Sequence, residues 1–433
     1  VGFGLGVCLL GVKSWNEESG SKDYFGQVAH HDPLVSKWAG LRFASWLIPM
    51  PLRGPALYYR LTSPTDSFRH KACLPGYTWK YNWPNRFKVF ASIGLRRFAM
   101  RGATFLLMGL AVWTGWSKAQ TEFPLPAGAQ GVEFKADTKG PVLARLVTGG
   151  EKVAKPYLWP VLTPSGVAVT RSWPMVPDAP GAKDHKHQKS AWFCHGDLVV
   201  EGHKPQPRKG VAGTDFWSEE TGHGRIVLDS EKVAIGQAAG LNVQVNAGYV
   251  WQDSAGQPLL RENRQVQFKP IGKTAWLMDW TCQMAASEGS VTFEDTKEGS
   301  MGIRVVDALT EKEGGKLINS KGQFGEKNVW GREADWCAYA GNINGKPVAI
   351  AILDHPQNPH RACWHARGYG LMAANPFGRK KSGFPDRKDT AELVKIAKGE
   401  KLTLRYGLLV LDGDWASASK TIAEQYDAWS KAR

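Results

Sequence analysis

From residue 132 onward the chain is a succession of short runs rich in β-branched, aromatic and alternating apolar residues, each stopped by Gly, Pro, Asn or Asp. Runs with a period near two, rather than about 3.6, bury a face as strands and not as helices. They occupy 132–136, 142–147, 157–161, 224–235, 241–251, 261–270, 274–284, 302–306, 336–341 and 348–353. Turn signals such as Asp253-Ser254-Ala255-Gly256 and Asn342-Ile343-Asn344-Gly345 separate neighbours, as in hairpins. Near the end, 392–397 and 402–411 read as a closing hairpin around Lys398-Gly399-Glu400. The series predicts a mainly β fold, a large antiparallel β-sandwich.

One stretch breaks the pattern. Trp415, Ala418, Ile422, Tyr426 and Trp429 recur at helical spacing behind Asp414, a good N-cap residue. This predicts a C-terminal α-helix whose aromatic face packs on the sandwich.

The formal net charge of +15 suggests at first a polyanionic partner. Its distribution argues otherwise: residues 1–99 carry a net +8, residues 100–119 a net +2, and the remainder only +5. No basic run with interleaved aromatics marks a nucleic-acid groove, and Arg379-Lys380-Lys381, the densest cluster, reads as a solvated loop. The six cysteines include no CxxC pair, which leaves no zinc-ribbon or thioredoxin motif. The four after Gln120 are expected to form one or two disulfides or to lie buried as small apolar residues.

Residues 100–113 have a basic start and then an apolar stretch, and Ser117 and Ala119 stand at the positions signal peptidase requires for a cut before Gln120. The apolar run falls short of the ~20 residues that span a bilayer. Residues 100–119 are therefore expected to be a signal peptide, residues 120–433 a single exported domain, periplasmic or secreted, and residues 1–99 a non-native leader or fragment. The rival readings are a buried helix at 100–113 and a genuine N-terminal region.

Eight histidines follow Gln120, and they cluster. The first cluster holds His185, His187, His195 and Asp197, with Trp217 close behind. The second holds His355, Trp364, His365, Arg367 and Asn375, and Arg332 and Trp336 lie between the two. On a strand, residues i and i+2 share a face. This pairs His195 with Asp197 and His365 with Arg367. A carboxylate beside an imidazole fixes its tautomer and suits a general base, and an arginine beside one offers a fork for an oxyanion. The expected roles are His195 as base, Asp197 orienting it, His365 as acid and Arg367 steadying negative charge. Substrate contacts are expected from His185, His187, Trp217, Arg332, Trp336, His355, Trp364 and Asn375. Twelve tryptophans after Gln120 leave some for stacking on sugar rings. No cofactor is expected. A metal held by His185, His187 or His195 is the sharper alternative, and no HExxH or fixed carboxylate partner supports it.

At these clusters the chain resembles bacterial proteins labelled "methane oxygenase PmoA-like", a family built on a domain of unknown function. The resemblance spans about 121–430 and rests on Arg171-Ser172-Trp173-Pro174, on the run from His187 to Asp197, and on Asp215-Phe216-Trp217. It continues in Asp354-His355-Pro356, Trp364-His365, Tyr369-Gly370 and Asn375-Pro376-Phe377-Gly378. The family usually shows adjacent histidines at the first motif, where this chain has His185-Lys186-His187. A membrane oxygenase subunit needs several apolar spans of ~20 residues, and the runs after Gln120 are strand-length. What the resemblance implies is an exported sandwich protein of carbohydrate-degrading bacteria, similar in outline to the galactose mutarotase superfamily. The expected partner is then a small-molecule or oligosaccharide substrate, with no nucleic acid and no membrane span. An enzyme moving a proton on a sugar or glycoside comes first. A non-catalytic carbohydrate-binding protein and a metal-dependent oxygenase are the alternatives.

Overall fold

The computed structural model describes residues 123–126, 128–137, 139–237 and 243–432, together with two short strands nearer the N-terminus. The chain divides into two units, Val1–Thr114 and Gly115–Arg433. In the first, Trp79–Asn82 pairs antiparallel with Lys88–Ala91. The rest of the expected leader and signal segment lies outside the described residues.

The second unit is built on two large antiparallel sheets. One has eight strands in the order Lys316–Asn319, Trp336–Ile343, Lys346–Asp354, Lys401–Asp412, Ala275–Ala285, Pro258–Ile271, Val243–Gln252 and Arg225–Gln237. The other has seven, in the order Cys363–Arg367, Leu371–Asn375, Gly299–Arg304, Ala191–His195, Tyr157–Val161, Val142–Gly149 and Gln130–Lys135. A small third sheet joins Val394–Ile396, Val291–Phe293 and Leu198–Val200.

Alternation explains the layering. Along Pro258–Ile271, Leu260, Glu262, Arg264, Val266 and Phe268 are buried, while Arg261, Asn263 and Gln265 face solvent. The buried side meets the seven-stranded sheet: Phe268 packs on Phe134, and Phe193 packs on both Trp251 and Tyr406. The unit is thus the expected sandwich. One ion pair lies inside this layer. Arg264 binds Glu262 and stacks over Phe193, Tyr249 and Trp280, so its charge is matched and its flat faces are covered by rings.

The outer side of the eight-stranded sheet carries small residues, Ala338, Ala349 and Ala351, which make a flat seat. The helix Trp415–Ser430 lies on it through Ala418, Ile422 and Trp429. Asp414 caps the helix by accepting from the Ser417 amide at 2.9 Å. Cys194, Cys282, Cys337 and Cys363 are free and buried, the second of the two expected outcomes, and Cys8 and Cys73 lie outside the described residues. Among the described residues no helix is long and apolar enough to cross a membrane.

Candidate functional site

Register across the seven-stranded sheet decides which side chains meet. His365 pairs with Ala373, Ala373 with Gly302, and Gly302 with Trp192. Cross-strand partners point the same way, so this row shares one face. Gly302 is required there, because a Cβ would come 2.8 Å from the Trp192 ring. An odd number of steps along the strand leads from Trp192 to His195, so His195 points the other way, with Phe193, toward the eight-stranded sheet. The two histidines expected to cooperate therefore stand on opposite faces of one sheet.

His195 is fully buried, with its ring against Phe293 and Phe377 at centroid distances of 5.6 and 4.8 Å. Its Nε2 lies 3.0 Å from the Glu294 carbonyl, and its Nδ1 has no partner. Burial lowers its pKa to about 3, so it is neutral near pH 7. Asp197 does not orient it. The strand ends at His195, and the Asp197 carboxylate turns instead to accept from the amides of Ala212 and Gly213 at 2.9 and 2.7 Å. The pairing expected from i, i+2 alternation fails because the second residue has left the strand.

A carboxylate–imidazole pair does exist, ten residues earlier in the chain. Asp184 Oδ2 lies 2.9 Å from His185 Nδ1, which assigns the proton to Nδ1 and leaves Nε2 as an acceptor. Asp184 Oδ1 accepts from Arg171 at 2.9 Å and from Arg304 at 2.8 Å. Burial works to raise this carboxyl, but His185 and Arg304 outweigh it and hold it well below the ordinary carboxylate range. His185 stacks face to face on Tyr369 at 5.3 Å, and the guanidinium of Arg304 covers Tyr369 at 4.5 Å. Gln188, bonded to Arg304 at 2.7 Å, completes the support. His185 has φ 44° and Ser190 φ 59°, left-handed conformations that β-carbon sterics disfavour by about 1 kcal/mol. Two arginines and a buried glutamine hold the loop in that shape. The imidazole, 37 % exposed, is open to solvent.

His365 stands on the same outer face as Arg304 and Trp192. It is buried, and its Nδ1 lies 3.9 Å from Glu298 Oε2, with no hydrogen-bond partner. Burial, with Lys297 and Arg367, lowers its pKa to about 3. Burial raises the Glu298 carboxyl, although a third of the side chain meets solvent. Protonation of His185 would work to lower the pKa of both groups. Trp217 lies parallel to His365 at 6.4 Å and edge-on to Trp192 at 5.0 Å, and the indole N–H groups of both tryptophans lack partners. Neutral imidazole, protonatable carboxyl, oriented imidazole and unpaired donors thus gather on one side of the sheet, the ingredients of proton transfer.

The remaining expected residues scatter. Arg367 shares the His365 face but pairs with Glu326 at 3.3 Å. His187 lies edge to face with His185 at 5.8 Å. Trp217 and Trp364 are too buried to stack on a sugar, and the Trp364 indole donates to the Ala334 carbonyl at 3.0 Å. Trp336 is covered with the C-terminal helix. His355 sits beneath that helix, against Trp429 at 4.8 Å and bonded to Arg405 at 3.1 Å. Arg332 binds Asp386 at 2.7 Å. Asn375 braces a loop, donating to the carbonyls of Thr296 and Lys297 and accepting from the amides of Phe377 and Gly378. Among the described residues no three His, Cys, Asp or Glu side chains form a group fit to hold a metal ion.

Sequence reasoning missed Glu298, Asp184, Tyr369, Arg304 and Gln188. Gln188 and Tyr369 lay inside named motifs, and the adjacency of Asp184 to His185 was the signal available for the acid. Glu298 had none: Thr296-Lys297-Glu298-Gly299 has the composition of any solvated turn. Surface depressions lie beside the strand Arg225–Gln237. One, lined by Gly149, Glu151, Arg225 and Leu228, shares no residue with this group. The other, lined by Lys186 and Glu219, touches its rim.

Comparison with known proteins adds one match. The model of a family of unknown function, DUF6807, covers residues 133–426, from the first strand of the sandwich into the C-terminal helix. No curated protein matches the chain.

Proposed function

The chain belongs to the DUF6807 family, and we propose that it is an exported enzyme that moves a proton on a sugar or glycoside, with His185 as the base. The observation that carries this is the Asp184–His185 pair at 2.9 Å, oriented by two arginines, with the imidazole 37 % exposed. Asp184 fixes the tautomer and stabilises the imidazolium that forms, the support that general bases of this type receive elsewhere. Glu298 supplies the acid: burial favours its protonated form, ready to deliver a proton to a substrate oxygen while His185 takes one. His365, buried and neutral, stands 3.9 Å from Glu298 and adds no charge beside it. The carbohydrate part rests on the family resemblance. The same reading takes the chain as periplasmic or secreted after cleavage before Gln120, which N-terminal sequencing of exported protein checks. This reading needs no metal, and dialysis against a chelator is expected to leave turnover unchanged.

The direct test is turnover of a panel of aryl glycosides and oligosaccharides in D₂O, with deuterium incorporation followed by NMR. His185→Gln is expected to lower kcat by on the order of a thousandfold, with the unfolding midpoint nearly unchanged because the ring is exposed. Turnover persisting at the wild-type rate in both His185→Gln and Glu298→Gln would sink the assignment. Sugar binding without turnover in the wild-type protein favours the non-catalytic alternative.

A further inference from the structure

Two lysines share a single carboxylate beside the loop that carries His187. Lys155 Nζ lies 3.2 Å from Glu219 Oε1 and donates to the Trp217 carbonyl at 2.8 Å. Lys189 Nζ lies 2.5 Å from Glu219 Oε2. Lys155 is fully buried and Lys189 largely so. One acid cannot neutralise two bases, so this group carries an uncompensated positive charge in a region where charge is poorly screened. Burial pulls the Lys189 pKa below the ordinary lysine value, with Glu219 working against it. Burial likewise works to raise the Glu219 carboxyl, but the two ammonium groups outweigh it and hold it at about 2.

Glu219 also lines the open depression, together with Glu151, Lys152, Lys186, His223 and Arg225. The guanidinium of Arg225 is committed to the carbonyls of Gly150, Glu151 and Val153. His223 donates from Nδ1 to the Gly224 carbonyl at 2.7 Å, which leaves Lys152 and Lys186 as the charged donors of the depression. Bases outnumber acids there before the two lysines behind Glu219 are added. The loop itself links this depression to the proton-transfer group, since Lys186 falls between His185 and His187, whose rings are 5.8 Å apart. His187, lowered to about 3 by burial and by Lys155, adds a neutral hydrogen-bonding group at the junction.

We infer that this depression binds the anionic substituent, a carboxylate or a sulfate, of an acidic sugar whose reacting centre lies at His185. The sugar rests on the function proposed above, whereas the anion site rests on the lysines alone. An anion here takes up the charge that Glu219 leaves unmatched, and charge-assisted hydrogen bonds from lysine are stronger than neutral ones.

Calorimetric titration of the full chain with glucuronate, glucose 6-sulfate and glucose tests this. Either acidic sugar is expected to bind about tenfold tighter than glucose at low salt, and added salt is expected to shrink the difference. The order of the two acidic sugars tells carboxylate from sulfate. Lys186→Gln, a change at an exposed residue, is expected to remove several-fold of the preference, and the same change together with Lys152→Gln to remove more. Glucose binding as tightly as both acidic sugars overturns the anion site and leaves the sugar enzyme standing. Inorganic sulfate binding with no affinity for any of the sugars does the reverse.

Discussion

The two faces of the seven-stranded sheet carry the same residue types to different ends. On the inner face His195 and, just past the strand, Asp197 are sealed in: the imidazole lies between two phenylalanines, and the carboxylate is spent on backbone amides. On the outer side Asp184 grips His185 directly at Nδ1, on a ring that is partly exposed to solvent. The contrast teaches that a histidine and an aspartate near each other in sequence are no measure of reactivity. What counts is whether the carboxylate meets the ring and whether one ring nitrogen remains accessible.

The comparison breaks most sharply at Asp184. Asp184→Asn keeps one oxygen to accept from the two arginines, but its NH2 cannot accept from His185 Nδ1–H, so the tautomer and the charge that stabilises the imidazolium are both lost. Turnover is expected to fall by on the order of a thousandfold, against a small loss of stability. Full activity in the Asp184→Asn protein would mean that the outer pair is as structural as the inner one.

Next in size is His195→Ala. It empties a packed site between Phe293 and Phe377 and abandons a buried carbonyl, which together cost about 3 kcal/mol. Urea unfolding measures the loss, and turnover per folded molecule is expected to stay near the wild-type value. Lost turnover in well-folded protein would return His195 to the reacting site.

Acid sharpens the difference further. His195 and His365 are held at about 3 when folded, against an ordinary value of 6.5. As the pH falls below that ordinary value, the unfolded chain binds protons that the folded chain refuses. Stability therefore drops across the window from 6.5 down to about 3, by up to about 1.4 kcal/mol per pH unit for each histidine. Unfolding midpoints measured across this range are expected to show the slope, and His195→Phe to make it shallower by one proton. An unchanged slope in that variant would mean that His195 titrates freely in the folded protein.

Much of the fold was legible because alternation and turn chemistry are local. The run at 274–284 reappears as Ala275–Ala285, and the spacing of Trp415, Ala418 and Ile422 reappears as a capped helix on a sheet of alanines. The short strands Leu198–Val200 and Val291–Phe293 were not legible, because three residues carry no period. The candidate site was legible only as clusters. His185 and His365 both lay in conspicuous motifs, but Trp336, His355 and Trp364 lay in them too, and these were drawn into the core and under the helix.

By itself, then, the sequence determined the class of the fold, most of the long strands and the C-terminal helix, since each depends on residues close together in the chain. Which histidines meet which acids was decided by the tertiary structure alone. Glu298 comes within 3.9 Å of His365 across 67 residues because the turn that leads into Gly299–Arg304 lies beside the strand Cys363–Arg367. His195 is turned away from both by a single step of register along its strand, and neither outcome leaves a mark on local composition.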